Sequence, residues 1–150
     1  MDINNYFDEI MKYSHCLNWE PDWEIVKKIY NEIPDAYSVL TPFAYCYLEE
    51  LIRSTTSDYE TSGIGKDGKL KKRKVGKALI KLAKEENEEN REYIVKLDGI
   101  EHYFERSSGV ETGENRNGVN HGYMHPRFWT QKSYEKLIKD IAEISKFAKF

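Results

Sequence analysis

The stretch Asn115 to Gly122 reads N-R-N-G-V-N-H-G and holds the residues of this chain best suited to phosphate chemistry. Arg116 stands five residues before His121, and the amide Asn117 directly follows the arginine. Positions four apart on a helix share a face, and positions five apart are still neighbours around the cylinder. Arg116 and His121 could therefore converge on one phosphate if the stretch is helical, or begins as helix and unwinds near Gly118 or Gly122. Arginine offers phosphate oxygens a fixed fork of donors. Histidine trades protons easily near neutral pH. A phosphate clamp beside a proton carrier is a minimal kit for cleaving RNA. The structural alternative is a surface arginine and a histidine that caps a helix before a glycine stop.

Together with the long amphipathic helix after it, this segment resembles the signature of the HEPN superfamily, the higher eukaryote and prokaryote nucleotide-binding domains. The family pattern is an arginine, a polar residue immediately after it, a short spacer and a histidine. Here these are Arg116, Asn117 and His121. The helical architecture extends the match loosely over Thr41 to Phe150, while the N-terminal part and a basic segment lie outside it. Gly118 departs from the pattern, since a flexible residue there weakens a helix by about 1 kcal/mol.

The resemblance implies an all-α fold, a HEPN-like antiparallel helical bundle with short additional helices. It implies a metal-independent endoribonuclease without cofactor, of the kind that acts in toxin-antitoxin and abortive-infection systems. Other members have lost cleavage and serve as noncatalytic RNA-binding or protein-interaction modules. In the catalytic case the ribose 2′-hydroxyl attacks the adjacent phosphorus, leaving a 2′,3′-cyclic phosphate and a 5′-hydroxyl. His121 would serve as general base, or as general acid from the other subunit. Arg116 would stabilise charge on the nonbridging oxygens, and Asn117 would hold either side chain or donate to the phosphate. One histidine cannot easily make both proton transfers at once. A two-fold homodimer with the signature near its axis answers that need. An antitoxin or other protein partner also fits the resemblance.

Elsewhere the chemistry is sparser. Glu50 and Arg53 lie beside an apolar stripe and read either as solvated flanking charges or as helpers that orient Arg116 or His121, Glu50 being the acidic candidate. The run K-L-K-K-R-K-V-G-K supplies Lys71, Lys72, Arg73, Lys74 and Lys77, opposed locally only by Asp67. Such a strip suits sequence-independent contact with RNA phosphates, or an ordinary solvated face balanced further along by Glu85 to Glu92. His125, Arg127 and Tyr123 are further candidates for RNA contact. His125 follows His121 by four, but Gly122 and Pro126 argue against one helix through both, and no close third ligand exists, so no metal is expected. Trp129 fits a core, a dimer interface or a base-stacking surface.

The elements that must place these groups are read from periodicity. Asn5 to Tyr13 is expected as a short helix, and Pro21 as a first-turn residue of a second helix that Pro34 ends. Thr41 and Pro42 look like the start of a central helix carrying Phe43, Tyr47, Leu48, Leu51 and Ile52. Ser54 to Lys69 reads as a loop. A helix is expected from about Leu70, with Val75, Leu79, Leu82 and Ala83 inward. Glu85 to Tyr93 is a solvent-facing continuation or a turn. Ile94 to Phe104 is a helix loosened near Gly99, with His102 a surface or packing residue. Ser107 to Glu114 is a loop, and Thr130 caps a final helix over Ser133 to Phe147.

A chain of 150 residues suits one domain, with the polar loop and basic segment at about 54–84 inside it. The net charge of −3 excludes a globally basic nucleic-acid binder and leaves RNA contact to a local patch. Eleven tyrosines and three tryptophans either fill a helical core or mark an interface. No apolar run is long enough to span a membrane, and the acidic N-terminus is unlike a signal peptide. Cys16 and Cys46 fit a reducing cytoplasm as buried free thiols, with one disulfide as the alternative.

Overall fold

A computed structural model of the chain describes residues 2–33, 35–59, 68–69 and 72–150. Regular structure among these residues is all helical. The helices are α1 (Ile3–Tyr13), α2 (Glu20–Glu32), α3 (Tyr37–Ser54), α4 (Lys77–Glu86), α5 (Arg91–Ile100), α6 (Arg116–Asn120) and α7 (Gln131–Ser145). Two 3-10 turns, Glu101–Phe104 and Pro126–Phe128, join them. None of these helices is long and apolar enough to cross a membrane.

The first and last helices form one side of the packing. α1 lies against α7 and α2, and α7 packs in turn on α3 and α5. The aromatic load goes mainly to this core. Trp23 is fully buried, with its ring edge-on to Phe43 and Tyr47 and tilted against Phe7. Tyr30 stacks on Tyr134 across α2 and α7. Trp129 is buried too, so its ring is not offered to a ligand. Tyrosine suits these places because its ring fills volume while its hydroxyl can reach a polar partner. The Tyr45 hydroxyl donates to the Gly113 carbonyl at 3.0 Å, and that of Tyr103 donates to Asp140 at 2.6 Å.

The ends of α2 and α7 follow the local signals. Pro21 sits in the first turn of α2, and the Thr130 hydroxyl accepts from the Ser133 backbone at the start of α7. Pro34 itself lies outside the described residues.

Four expectations need correction. First, α3 begins at Tyr37 and runs through Pro42. The Thr41 hydroxyl donates back to the Tyr37 carbonyl at 2.7 Å, so Thr41 supports the first turn from inside rather than capping it. Secondly, α4 begins at Lys77, so the basic residues Lys72, Arg73 and Lys74 lie on non-helical chain. Val75 precedes the helix, escapes its periodicity and is 52% exposed. Thirdly, the helix expected from Ile94 begins earlier, at Arg91, although its loosening near Gly99 and the turn before it hold, as the 3-10 turn from Glu101 and as residues 87–90. Fourthly, Cys16 and Cys46 are free but exposed. Cys46 falls between buried Tyr45 and Tyr47, on the outward side of α3.

Replacing Trp23 with alanine empties the most aromatic part of the core. W23A is expected to lose about 3–5 kcal/mol of stability. Leu17, 80% exposed, is the control, and L17A should stay within about 0.5 kcal/mol. Urea denaturation followed by circular dichroism reads both.

Candidate functional site

The signature folds as a single short helix because its first residue is a good cap. The Asn115 side chain accepts from the Gly118 backbone at 2.8 Å and donates to the Glu105 carbonyl at 3.1 Å. Asn115 is itself buried, which ties the start of α6 to the end of the preceding 3-10 turn. Asn117 donates to the same Glu105 carbonyl at 2.9 Å. His121 caps the C-terminus of α6, just beyond its last residue Asn120, with its backbone N–H bonded to the Asn117 carbonyl at 3.0 Å and its ring exposed.

Arg116 points to the other side of α6. Its Nη2 donates to Glu49 Oε2 at 2.8 Å and its Nη1 to Asn117 Oδ1 at 3.2 Å. Both members of the ion pair are largely buried, with side-chain exposures of 16% for Arg116 and 10% for Glu49. The second oxygen of Glu49 accepts from the Gly76 backbone at 3.0 Å. One carboxylate thus joins the signature to the end of the basic segment. The acid that meets Arg116 is therefore Glu49 and not Glu50. Glu50 instead takes Arg53 at 3.1 Å and Arg73 at 3.2 Å. The reason is rotation about the helix axis, which places Glu49 on the face of Tyr45 and Ile52.

His121 and Asn117 open onto a groove of about 530 Å³, together with Arg106, the Ser107–Gly109 loop and Tyr123. Arg116 does not line it. The wall of this groove is built on a carboxylate. Glu111 accepts from the Ser107 hydroxyl at 2.7 Å, the Gly109 backbone at 3.1 Å and the Ser108 backbone. Gly118 lets this loop approach, since a Cβ there would stand 3.2 Å from Ser107 Oγ and 3.3 Å from Glu111 Oε2. The departure at Gly118 thus has a packing reason. Burial pushes the Glu111 carboxyl up, but the hydrogen bonds from Ser107 and Ser108 outweigh it and hold the group at about 2.

The remaining candidates spread around this centre. His125 Nδ1 accepts from the Arg127 backbone at 3.2 Å and so caps the 3-10 turn; both side chains are exposed and neither lines the groove. Lys77 approaches Glu105 at 3.6 Å. The basic run is less open than its sequence suggests, because acids from other elements reach it: Glu50 meets Arg73, and Glu105 approaches Lys77. Lys72 and Lys74 have exposed side chains, and Lys71 lies outside the described residues. His102 rests on the Tyr103 ring at 4.1 Å and approaches the Gly99 carbonyl with Nδ1 at 2.9 Å.

A second groove of about 640 Å³ lies between α1, α5 and α7. Its charges are already matched, Lys96 with Glu143 at 2.6 Å and Lys146 with Glu92. It has less to offer a charged ligand than the groove at His121. No family model matches the chain, and no curated protein or solved structure matches it either.

Sequence reasoning missed Glu49, Asn115, Arg106 and Glu111. Asn115 had a readable signal as a cap, and Glu49 as a carboxylate within the buried stripe of α3. Arg106 and Glu111 had none, because loop geometry places them.

Two measurements test this construction. Removing Glu49 leaves the Arg116 guanidinium buried without its acid, so E49A should cost about 3 kcal/mol. E50A should cost about 1 kcal/mol or less, since Arg53 keeps Asp58 at 3.5 Å. The second concerns acid. A carboxyl whose folded value is depressed contributes stability that is present above its unfolded value and lost as pH falls through the folded one. For Glu111 that window runs from 4.5 down to about 2. E111Q should be less stable than the parent by about 1–2 kcal/mol at pH 7, with the gap closing across the window. A gap that stays constant with pH in urea titrations would remove the charge from the explanation.

Proposed function

We propose that the chain is a HEPN-like bundle and a metal-independent endoribonuclease that cleaves RNA by 2′-hydroxyl attack. The observation that carries this reading is the place of Asn117. It lines the groove with His121 and also receives the Arg116 guanidinium on its Oδ1 at 3.2 Å. His121, exposed at the end of α6, takes or returns the proton. Arg116, fixed by Glu49, lends positive charge to the Asn117 wall from behind and stabilises the nonbridging oxygens. Asn117 transmits the geometry of one to the other. Lys72, Lys74 and Lys77 steer the RNA backbone toward the groove, Lys77 from beside Glu105. The second proton transfer falls to the His121 of another copy, so the active form is a homodimer. A role as a toxin or abortive-infection effector, held in check by a protein partner, fits the same reading.

A noncatalytic RNA-binding or protein-interaction module is favoured by one observation. The Arg116 guanidinium is engaged by Glu49 and Asn117 and stays off the groove lining. In that case RNA is held and not cut.

The test is cleavage of a mixed labelled RNA pool by the purified protein in excess chelator. The parent should leave 2′,3′-cyclic phosphate and 5′-hydroxyl ends and spare DNA. H121A should lose about 10²–10⁴-fold in rate. R116A should lose about 10²–10³-fold. Melting curves for each variant separate lost chemistry from lost folding. Mixing the two inactive variants should return part of the activity if the site is shared between copies. Cutting unchanged in both variants sinks the assignment, and binding without cutting moves it to the noncatalytic module.

A further inference from the structure

We propose that Arg106 and Tyr123 form a nucleotide seat on the groove, Arg106 taking a phosphate of single-stranded RNA and Tyr123 stacking on an unpaired base. This deepens the reading of the groove as an RNA site and rests on it.

The argument begins with Arg106. Lys77 is matched by Glu105 and Arg116 by Glu49, but Arg106 makes no ion pair among the described residues. The nearby acid of the loop, Glu111, is committed to Ser107, Ser108 and Gly109. An arginine facing a groove without a counter-ion attracts an anion, and its planar fork suits phosphate.

Tyr123 supplies the second half. It is 62% exposed, although its backbone is anchored to the Gly118 carbonyl at 3.1 Å. Gly122, with φ at +66°, makes the turn that delivers it to the groove. Its ring lies 5.8 Å from that of His121, tilted by 36°, so an open aromatic face stands beside the proposed proton carrier. Among the described residues the groove lining contains no aliphatic side chain. A pocket built to grip an apolar protein anchor would have one, whereas a guanidinium, an imidazole and a phenol ring together match a phosphate joined to a flat base. Only an unstacked base can reach the ring, which selects single strands.

The test uses the full chain and a fluorescein-labelled, mixed-sequence 2′-O-methyl RNA strand that lacks the attacking hydroxyl. Anisotropy gives binding over a salt series, and cleavage of the unmodified strand is run in parallel. Y123A should bind about ten-fold more weakly, while Y123F stays close to the parent. R106A should bind more weakly and flatten the log–log salt slope by about 0.7, the loss of one single-strand phosphate contact. A duplex of the same sequence should bind less well and be indifferent to Y123A. Parent protein that binds no strand, or Y123A and R106A that bind as the parent does, overturns the seat. So does a Y123A variant that loses self-association while its RNA binding is unchanged, which would make Tyr123 a protein contact. If the seat pattern holds without cleavage, the ribonuclease reading fails and the seat stands. If the parent cleaves and both variants keep its KM and its affinity, the seat fails and the ribonuclease reading stands.

Discussion

The Glu49 carboxylate is the constraint on which the arrangement around the signature depends. One oxygen holds Arg116 and the other holds the Gly76 backbone. A charge this little exposed is tolerated only when its partners are fixed, because desolvation would otherwise cost several kcal/mol. The partners come from α6 and from the chain leading into α4, so three separated segments must arrive together. Tyr45, one turn earlier on α3, adds a second tie through the Gly113 carbonyl. The central helix therefore serves as the post to which the signature and the loop leading into it are fastened at two heights.

From that post the positioning is passed outward. Arg116 is fixed by Glu49, Asn117 by Arg116 and by the Glu105 carbonyl, and the His121 backbone by Asn117. Each link is a directed hydrogen bond rather than a contact of surfaces. Such a chain holds the Arg116 and Asn117 side chains and the His121 backbone to a narrow set of positions. Loss of the first carboxylate would free Arg116, while the Glu105 carbonyl still holds Asn117.

The sequence was legible where one physical signal dominated. α7 and its Thr130 cap follow directly from periodicity and a hydroxyl at the right place. α3 was misread at its start because Thr41–Pro42 imitates a first turn, while Tyr37 to Leu40 add a turn that the threonine reinforces from within. The basic segment was read as helix from the spacing of Val75, Leu79, Leu82 and Ala83, but residues 72–75 are non-helical and Lys74 is held instead by the Asp58 carboxylate on its backbone N–H at 2.9 Å and by Arg53 on its carbonyl. At the site, residue types were readable and partnerships were not. Glu49 and Glu50 differ by 100° of rotation, which hydrophobic pattern alone resolves poorly when both flank apolar residues. Arg106 reaches the groove through a loop whose shape is set by a carboxylate five residues later, a relation with no periodic trace.

That carboxylate has a consequence for how the groove meets a ligand. By filling its own loop with an anion, the chain makes Glu111 a permanent internal guest. Fixing each backbone residue costs about 1–2 kcal/mol of conformational entropy. Here that ordering is completed when the protein folds, so an incoming molecule meets a wall already set. What it gains in contact is then not spent on shaping its host.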